Sequence, residues 1–280
     1  MDVRVSFATS PAIWPFPLFE LLPPELPWLL LIAFMAGGID AVVGGGGLVQ
    51  LPGLFTALPQ YSPAVLLGSD KFTSMFGTAT AAWRYARQIR IPWSIVLPAA
   101  AAAFVCSFLG ATTVSLLPRD AIRPLVLVLL IAMLGYTLMK KDFGALQQSR
   151  LPGRHDLAIA LFLGGAIGFY DGFFGPGTGS FLIFLFIRFF GQDFLGASAS
   201  AKIVNLGTNL AALCWFIPAG QVLFAIAVPM ALANMAGSLT GSWLALRGGT
   251  PLIRRLFLIL VVILIARMAW DSLANIALLS

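Results

Sequence analysis

Apolar runs long enough to span a bilayer fill this chain, and its rare polar positions recur at matching places in two halves. The first run starts near Pro27, stops at Gly44-Gly45-Gly46-Gly47 and resumes as the short piece Leu48–Leu58. Ser62-Pro63 predicts an N-cap followed by proline in the first turn, opening a helix that continues to about Arg87. Two further runs, Pro92–Leu117 and Arg119–Met139, precede a polar stretch from Lys140 to Asp156. The plan then repeats. Leu157–Phe174 is interrupted at Gly175-Pro176-Gly177-Thr178-Gly179, and Ser180–Phe190, Phe194–Phe216, Gln221–Leu246 and Pro251–Ala269 follow. None of these runs alternates in polarity as a barrel strand would, so the pattern predicts an all-α polytopic membrane protein.

Shifting the chain by 131 positions lays one half on the other. Asp40 falls on Asp171, Gly44 on Gly175, Ser69 on Ser200, Lys71 on Lys202, Pro98 on Pro229, Gly110 on Gly241 and Arg123 on Arg254. Apolar coincidences mean little in so greasy a chain. The charged ones mean more, because two of only four lysines pair at the offset that also pairs two aspartates. Rare charges kept in both halves of a duplicated membrane protein point to a binding site that the halves share.

Composition agrees with this class. Hydrophobic residues make up 59% of the chain and charged residues 10%, with a mean hydropathy of +0.94. A soluble domain carries roughly 25% charged residues. The net charge of +6 is spread over short loops between apolar runs, which marks topology and not a nucleic-acid surface. Cys106 and Cys214 sit inside apolar runs, away from any metal spacing, and read as packing residues. The first 27 residues hold six prolines and lack the pattern of a cleaved signal. They read as an extended lead-in at the interface, with Trp14, Phe16 and Trp28 as anchors.

These observations divide the chain into a Pro-rich lead-in (1–27), a first membrane repeat (28–139), a cytoplasmic linker (140–156) and a second repeat (157–280). Each repeat has about five pieces, an odd number, so the second repeat is expected to be inverted. If every piece crosses, Arg84, Arg87, Arg90, Lys140, Lys141, Arg150, Arg154, Arg188, Arg247, Arg254 and Arg255 share one side. The positive-inside rule makes that side cytoplasmic and both termini external, as in a bacterial inner-membrane protein. The pieces after the glycine breaks are about 16 Å long as helices, so half-helices meeting near mid-membrane are the alternative.

The breaks and the buried charges are the candidate site. Backbone groups freed inside a membrane need protein partners or a wet cavity. Glycine lets a ligand come close to the main chain, and a helix starting after a break aims its N–H groups at an anion. Gly44, Gly45, Gly46, Gly47, Gly175, Gly177, Thr178 and Gly179 are therefore candidates, against a plain role in helix packing. Lys71, Ser74 and Thr78 lie on one helix face, and Lys202, Asn205 and Asn209 form the matching stripe. Ser69 and Ser200 point elsewhere. A charge at mid-bilayer costs at least ~2.5–3.5 kcal/mol, so each lysine needs a partner or a cavity. A cation flanked by amides and hydroxyls suits a small oxyanion. Asp40, Asp171 and Asp70 are candidates for coupling or charge balance. The competing account is a structural Lys–Asp pair within each half. Tyr170 could border the site, and His155 reads as a solvated loop residue. Arg267 and Asp271 read as an interfacial pair. No nucleophile–base pair and no metal-ligand motif stands out, so neither enzyme chemistry, a metal nor another cofactor is expected.

The runs AGGIDAVVGGGGLVQLPGL and LLGSDKFTS in the first half, with GFYDGFFGPGTGSFLIF and ASASAKIVNLGTN in the second, resemble the TauE/SafE family of sulfite exporters and anion permeases. The resemblance implies transport of small sulfur-containing anions or carboxylates, such as sulfite or organosulfonates, linked to a proton gradient. The expected partners are then a small anionic substrate and membrane lipid. An anion channel built on paired re-entrant glycine segments is the alternative.

Overall fold

Proline and glycine set the limits of the first helix. Leu26–Val43 forms α1, with Pro27 in the first turn, where its missing N–H leaves no gap in the ladder. Gly44 ends it at φ +75°, a left-handed conformation that side chains resist, and its N–H closes on the Asp40 carbonyl. The structure is a computed structural model that describes residues 24–116 and 154–248. Beyond α1 it contains α2 (Gly47–Ala57), α3 (Pro63–Gln88), α4 (Trp93–Leu116), α5 (Arg154–Phe173), α6 (Thr178–Phe190), α7 (Phe194–Phe216) and α8 (Phe224–Gly248). No strand occurs among the described residues. The segments expected at Arg119–Met139 and Pro251–Ala269, most of the lead-in, the Arg267/Asp271 pair and the linker residues Lys140, Lys141 and Arg150 lie outside the described residues.

Ser62 and Pro63 open α3 as expected: Ser62 is the extended N-cap residue, its carbonyl accepts from Val65 and Leu66 without a side-chain cap bond, and Pro63 supplies the helical φ. The polar linker ends earlier than expected. Arg154, His155 and Asp156 belong to the first turn of α5, where the acid suits the positive helix end. His155 is exposed on a helix and not in a loop.

Four helices, α1, α4, α5 and α8, are long and apolar enough to cross a membrane. They carry most of the exposed large hydrophobic side chains, among them Trp28, Leu31, Leu97, Val105, Phe162 and Leu232. The 26-residue α3 and the 23-residue α7 are also long, but polar stripes lower their hydropathy. These two pack on each other inside the apolar helices, so polar positions that would be costly against lipid face protein.

The two short helices are return arms. Leu54 and Leu58 at the end of α2 pack with Leu26 and Leu29 near the start of α1 and Leu66 near the start of α3. The chain therefore turns back at the first break. Likewise, Phe186 and Phe190 of α6 line one small apolar cavity with Ala160 and Leu163 of α5. The hairpins meet at their breaks. Ser180 N–H donates to the Gly44 carbonyl (3.1 Å), and Ser180 Oγ donates to the Val43 carbonyl (2.7 Å). A Cβ on Gly179 would stand 2.6 Å from Gly44 Cα, so the close approach of the two breaks requires glycine there.

Packing contacts recur with the halves exchanged. Gly164, Gly168 and Gly172 of α5 ride on Ala99, Ala103 and Ser107 of α4, a small-residue seam of helical period. The seam between α1 and α8 repeats it, with Gly37 against Asn234 and Gly241 against Gly38. Ser107 Oγ donates to the Thr208 carbonyl (2.8 Å), and Ser238 Oγ, 131 positions on, donates to the carbonyl of Gly77, 131 positions back (2.6 Å). Arg84 donates to the Leu239 carbonyl (2.7 Å), which brings the basic ends of α3 and α8 together. Arg87 lies over Trp83 and Arg247 over Trp243, as expected for an interfacial rim.

Candidate functional site

The buried lysines come from the two central helices. Lys71 on α3 is 3% exposed and Lys202 on α7 is fully buried. Each reaches an aspartate of the opposite half. Lys71 Nζ stands 2.8 Å from Asp171 on α5, and Lys202 Nζ stands 2.8 Å from Asp40 on α1. The pairs thus run across the halves and not within each half, as the competing structural account had them. The reason is the packing order: each aspartate ends the long arm of its hairpin, and that arm's break abuts the other half. Both pairs lie one turn before a glycine break.

At these two pairs, two buried atoms remain incompletely satisfied. Lys202 Nζ and Asp171 Oδ2 touch their partners without the alignment of a hydrogen bond. A buried ammonium has three donors to place, so Lys202 keeps donor capacity for an oxyanion. Thr78 Oγ1 donates to Asp40 Oδ2 (3.2 Å), joining the lysine pair to the stripe on α3. Gly175 is at φ +99°, and a Cβ there would lie 2.7 Å from Lys71 Nζ. Glycine at this point lets the ammonium reach the second break. Tyr170 braces that break by donating to the Pro176 carbonyl (2.7 Å).

The break amides are partly consumed. Leu48 donates to the Gly45 carbonyl, Gln50 to that of Gly46, Thr178 to that of Gly175 and Ser180 to that of Gly44. Leu48 and Ser180, expected to present N–H groups to an anion, are therefore used by the protein itself. The hairpins satisfy each other, as a membrane interior demands. The amides of Gly46, Gly47, Gly177 and Gly179 have no backbone partner among the described residues. Gly46 also packs on α1 beside the Asp40 side chain, and Gly47 faces Pro176. Glycine thus serves packing at several of these positions. Thr178 turns its hydroxyl to the Gly175 carbonyl (2.7 Å), inside the turn.

The remaining polar candidates divide by half. Asn205 and Asn209 are buried on α7 beside Lys202, and Asn205 Oδ1 accepts from Thr208 (3.3 Å). Ser69 and Ser200 do point away: Ser69 accepts from Leu223 N–H (2.9 Å), and Ser200 donates to Gln192 (2.7 Å). Beside Lys71, Gln50 of the first half and Asn234 of the second were missed by sequence reasoning. Gln50 Nε2 donates to Asp70 Oδ1 (2.8 Å) and to Ser74 Oγ (3.3 Å), and Asn234 Nδ2 donates to Gln50 Oε1 (2.9 Å). Gln50 sits three residues past the first break in an apolar piece, which is the signal that could have found it. Cys106 and Cys214 are free thiols, and the described residues contain no cluster of metal-ligating side chains.

Apolar spanning helices around two polar central ones, with charges buried where two broken hairpins meet, define a polytopic membrane transporter. The family described as "Sulfite exporter TauE/SafE" matches residues 29–268, and the chain belongs to that family. Among similar proteins, the "Probable membrane transporter protein YfcA" of Escherichia coli (strain K12) is 34% identical over 255 residues, covering 91% of this chain and 93% of that protein. The "Probable membrane transporter protein ORF9" of Sinorhizobium sp is 35% identical over 248 residues, covering 88% and 93%. A "Probable membrane transporter protein" of Haemophilus influenzae (strain ATCC 51907 / DSM 11121 / KW20 / Rd) is 31% identical over 249 residues, covering 87% and 94%. No solved structure matches the chain.

Proposed function

We propose that this protein is a secondary transporter of small anions, sulfur-containing oxyanions or organosulfonates first among them, working by proton-coupled alternating access between two inverted halves. The observation that carries this reading is the pair of buried Lys–Asp contacts across the halves. An anion oxygen has the charge and hydrogen-bonding character of the carboxylate that each lysine now holds, so substrate and aspartate compete for the same ammonium. Rocking one half against the other parts the pairs and opens the site to one side at a time. Asn205, Asn209, Ser74 and Thr78 supply directed hydrogen bonds beside the charge. Gly175 and the unspent break amides let substrate oxygens approach the main chain.

Complete burial of Lys202 favours a carrier over a channel, because an anion reaches that ammonium only when the bundle opens. The sulfur-oxyanion preference rests on family membership and on lysines flanked by amides and hydroxyls. Grouping of Arg84, Arg87 and Arg247 at one end supports a cytoplasmic face there and external termini. Cysteines placed at Leu146 and Gly248 should then label from the same side; labelling from opposite sides removes the inverted arrangement. The direct test is flux. Purified protein in liposomes should exchange labelled sulfite or a sulfonate, and Lys202→Ala should abolish the exchange. Folded wild-type protein that moves no sulfur oxyanion overturns the substrate assignment. Single-channel currents would support the pore instead.

A further inference from the structure

Three aspartates and two lysines cluster where the hairpins meet. Lys71 takes Asp171 and Lys202 takes Asp40, which leaves Asp70 over. Asp70 is 4% exposed and has no ion-pair contact among the described residues. The charged groups acting on it are Lys71 on its own helix, Asp171 on α5 and Asp40 on α1. From α2 and α8 it meets only neutral amides: Gln50 directly and Asn234 behind it. With every group ionised the cluster carries one net negative charge. A low-dielectric interior penalises that imbalance, and a single bound proton removes it.

We propose that the coupling proton rides on Asp70, that Asp40 and Asp171 serve as the lysine partners, and that Gln50 and Asn234 are positioning residues. This rests on the transporter reading above. The hydrogen-bond network favours a proton over a metal ion. Asn234 is wedged against Gly37 and Gly77, where added Cβ atoms would collide with it. Its Nδ2 occupies Gln50 Oε1, so Gln50 presents N–H groups to Asp70. A cation would need oxygen at that place. Asp70 is also confined to one half. The positions 131 from Gln50, Asp70 and Asn234 hold Phe181, Ala201 and Ala103, none of which can carry or orient a proton. The Asp70 network therefore has no counterpart in the second half.

The proton enters from water on the open side, forms an O–H bond on Asp70 and returns to water on the other side when that bond breaks. An anion seated at the lysines adds negative charge near Asp70 and tightens its hold on the proton. By linkage the proton tightens the anion to the same degree, so both move in one direction. Methanesulfonate is the probe, because its own charge stays fixed near neutral pH. At one proton per anion, a gradient of one pH unit drives about tenfold accumulation of labelled methanesulfonate in wild-type proteoliposomes. Asp70→Asn should keep equilibrium exchange but lose pH-driven accumulation, and Asp70→Glu should restore it. Gln50→Leu should keep exchange while moving the pH at which accumulation fades. Asp70→Asn that still accumulates the probe overturns the proposal. Infrared spectra give a readout that needs no substrate: a protonated carboxyl band that titrates in wild type should vanish in Asp70→Asn. If it persists, another carboxyl carries the proton. Wild-type protein that is folded but moves no methanesulfonate counts against the sulfonate transporter reading, while the infrared band still decides the proton site.

Discussion

The two halves share their ion pairs but not what surrounds them. Lys71 with Asp171 and Lys202 with Asp40 are the same contact with the halves exchanged, at the same 2.8 Å. Around Lys71 stand Asp70, Gln50, Ser74 and Asn234, linked by hydrogen bonds. The corresponding positions near Lys202 hold Ala201, Phe181, Asn205 and Ala103. Under the alternating-access reading proposed above, an element needed in both end states has reason to be duplicated, and an element that carries one coupling charge has reason to occur once. The proposed roles then divide: the shared ion pairs hold and release substrate, and the Asp70 network sets the energetics of coupling.

The strongest way to break the comparison is to remove one lysine. Lys202→Ala leaves Asp40 without its cation, and losing one partner of a buried pair costs about 3–5 kcal/mol. Thermal unfolding in detergent should show a large loss, together with abolished flux. Replacing both partners (Lys202→Met with Asp40→Asn) should recover most of the stability and none of the transport. If the double variant transports, the pair is only structural. The same experiment on Lys71 and Asp171 should match it, because the contact is shared.

Next in size are the glycines at the junction of the breaks. Gly44→Ala places a Cβ against the backbone at Gly179 in a left-handed conformation, and an unfavourable backbone of this kind costs about 1–3 kcal/mol before the collision is counted. Flux and melting temperature should both fall. By contrast, Gly38→Ala meets its neighbour at 3.4 Å, at ordinary contact distance, and should change melting far less. Equal losses at the two positions would mean that general helix packing, not the meeting of the hairpins, sets the demand for glycine.

The helices were legible because their apolar runs and their Pro and Gly punctuation are local signals. Phe194–Phe216 forms as expected, and the two breaks fall at their glycines. The 131-position repeat gave both lysines and both aspartates. It did not give their pairing, because sequence order suggests partners within a half while packing brings the hairpin ends across. Gln50 and Asn234 escaped for a related reason. Each is a lone amide in an apolar helix, and only the contact of α2, α3 and α8 joins them to Asp70. The role given to the break amides was too simple, because nothing local reveals that Ser180 N–H is spent on Gly44 of the other hairpin.

The smallest effect is the sharpest test of equivalence. Ser107 Oγ donates to the Thr208 carbonyl and Ser238 Oγ to the Gly77 carbonyl, at 2.8 and 2.6 Å, and both hydroxyls are buried. Neither serine touches a lysine pair in these contacts. Interhelical hydrogen bonds in membrane proteins average about 0.6 kcal/mol, so Ser107→Ala and Ser238→Ala should each produce a small loss of stability. The two losses should agree, because donor, acceptor and burial match. Flux should stay near wild type in both. Unequal losses would mean that the asymmetry of the Asp70 network reaches this contact. In that case Ser238, one turn from Asn234 on α8, should be the costlier site, since its bond to Gly77 ties α8 to α3 where Asn234 packs.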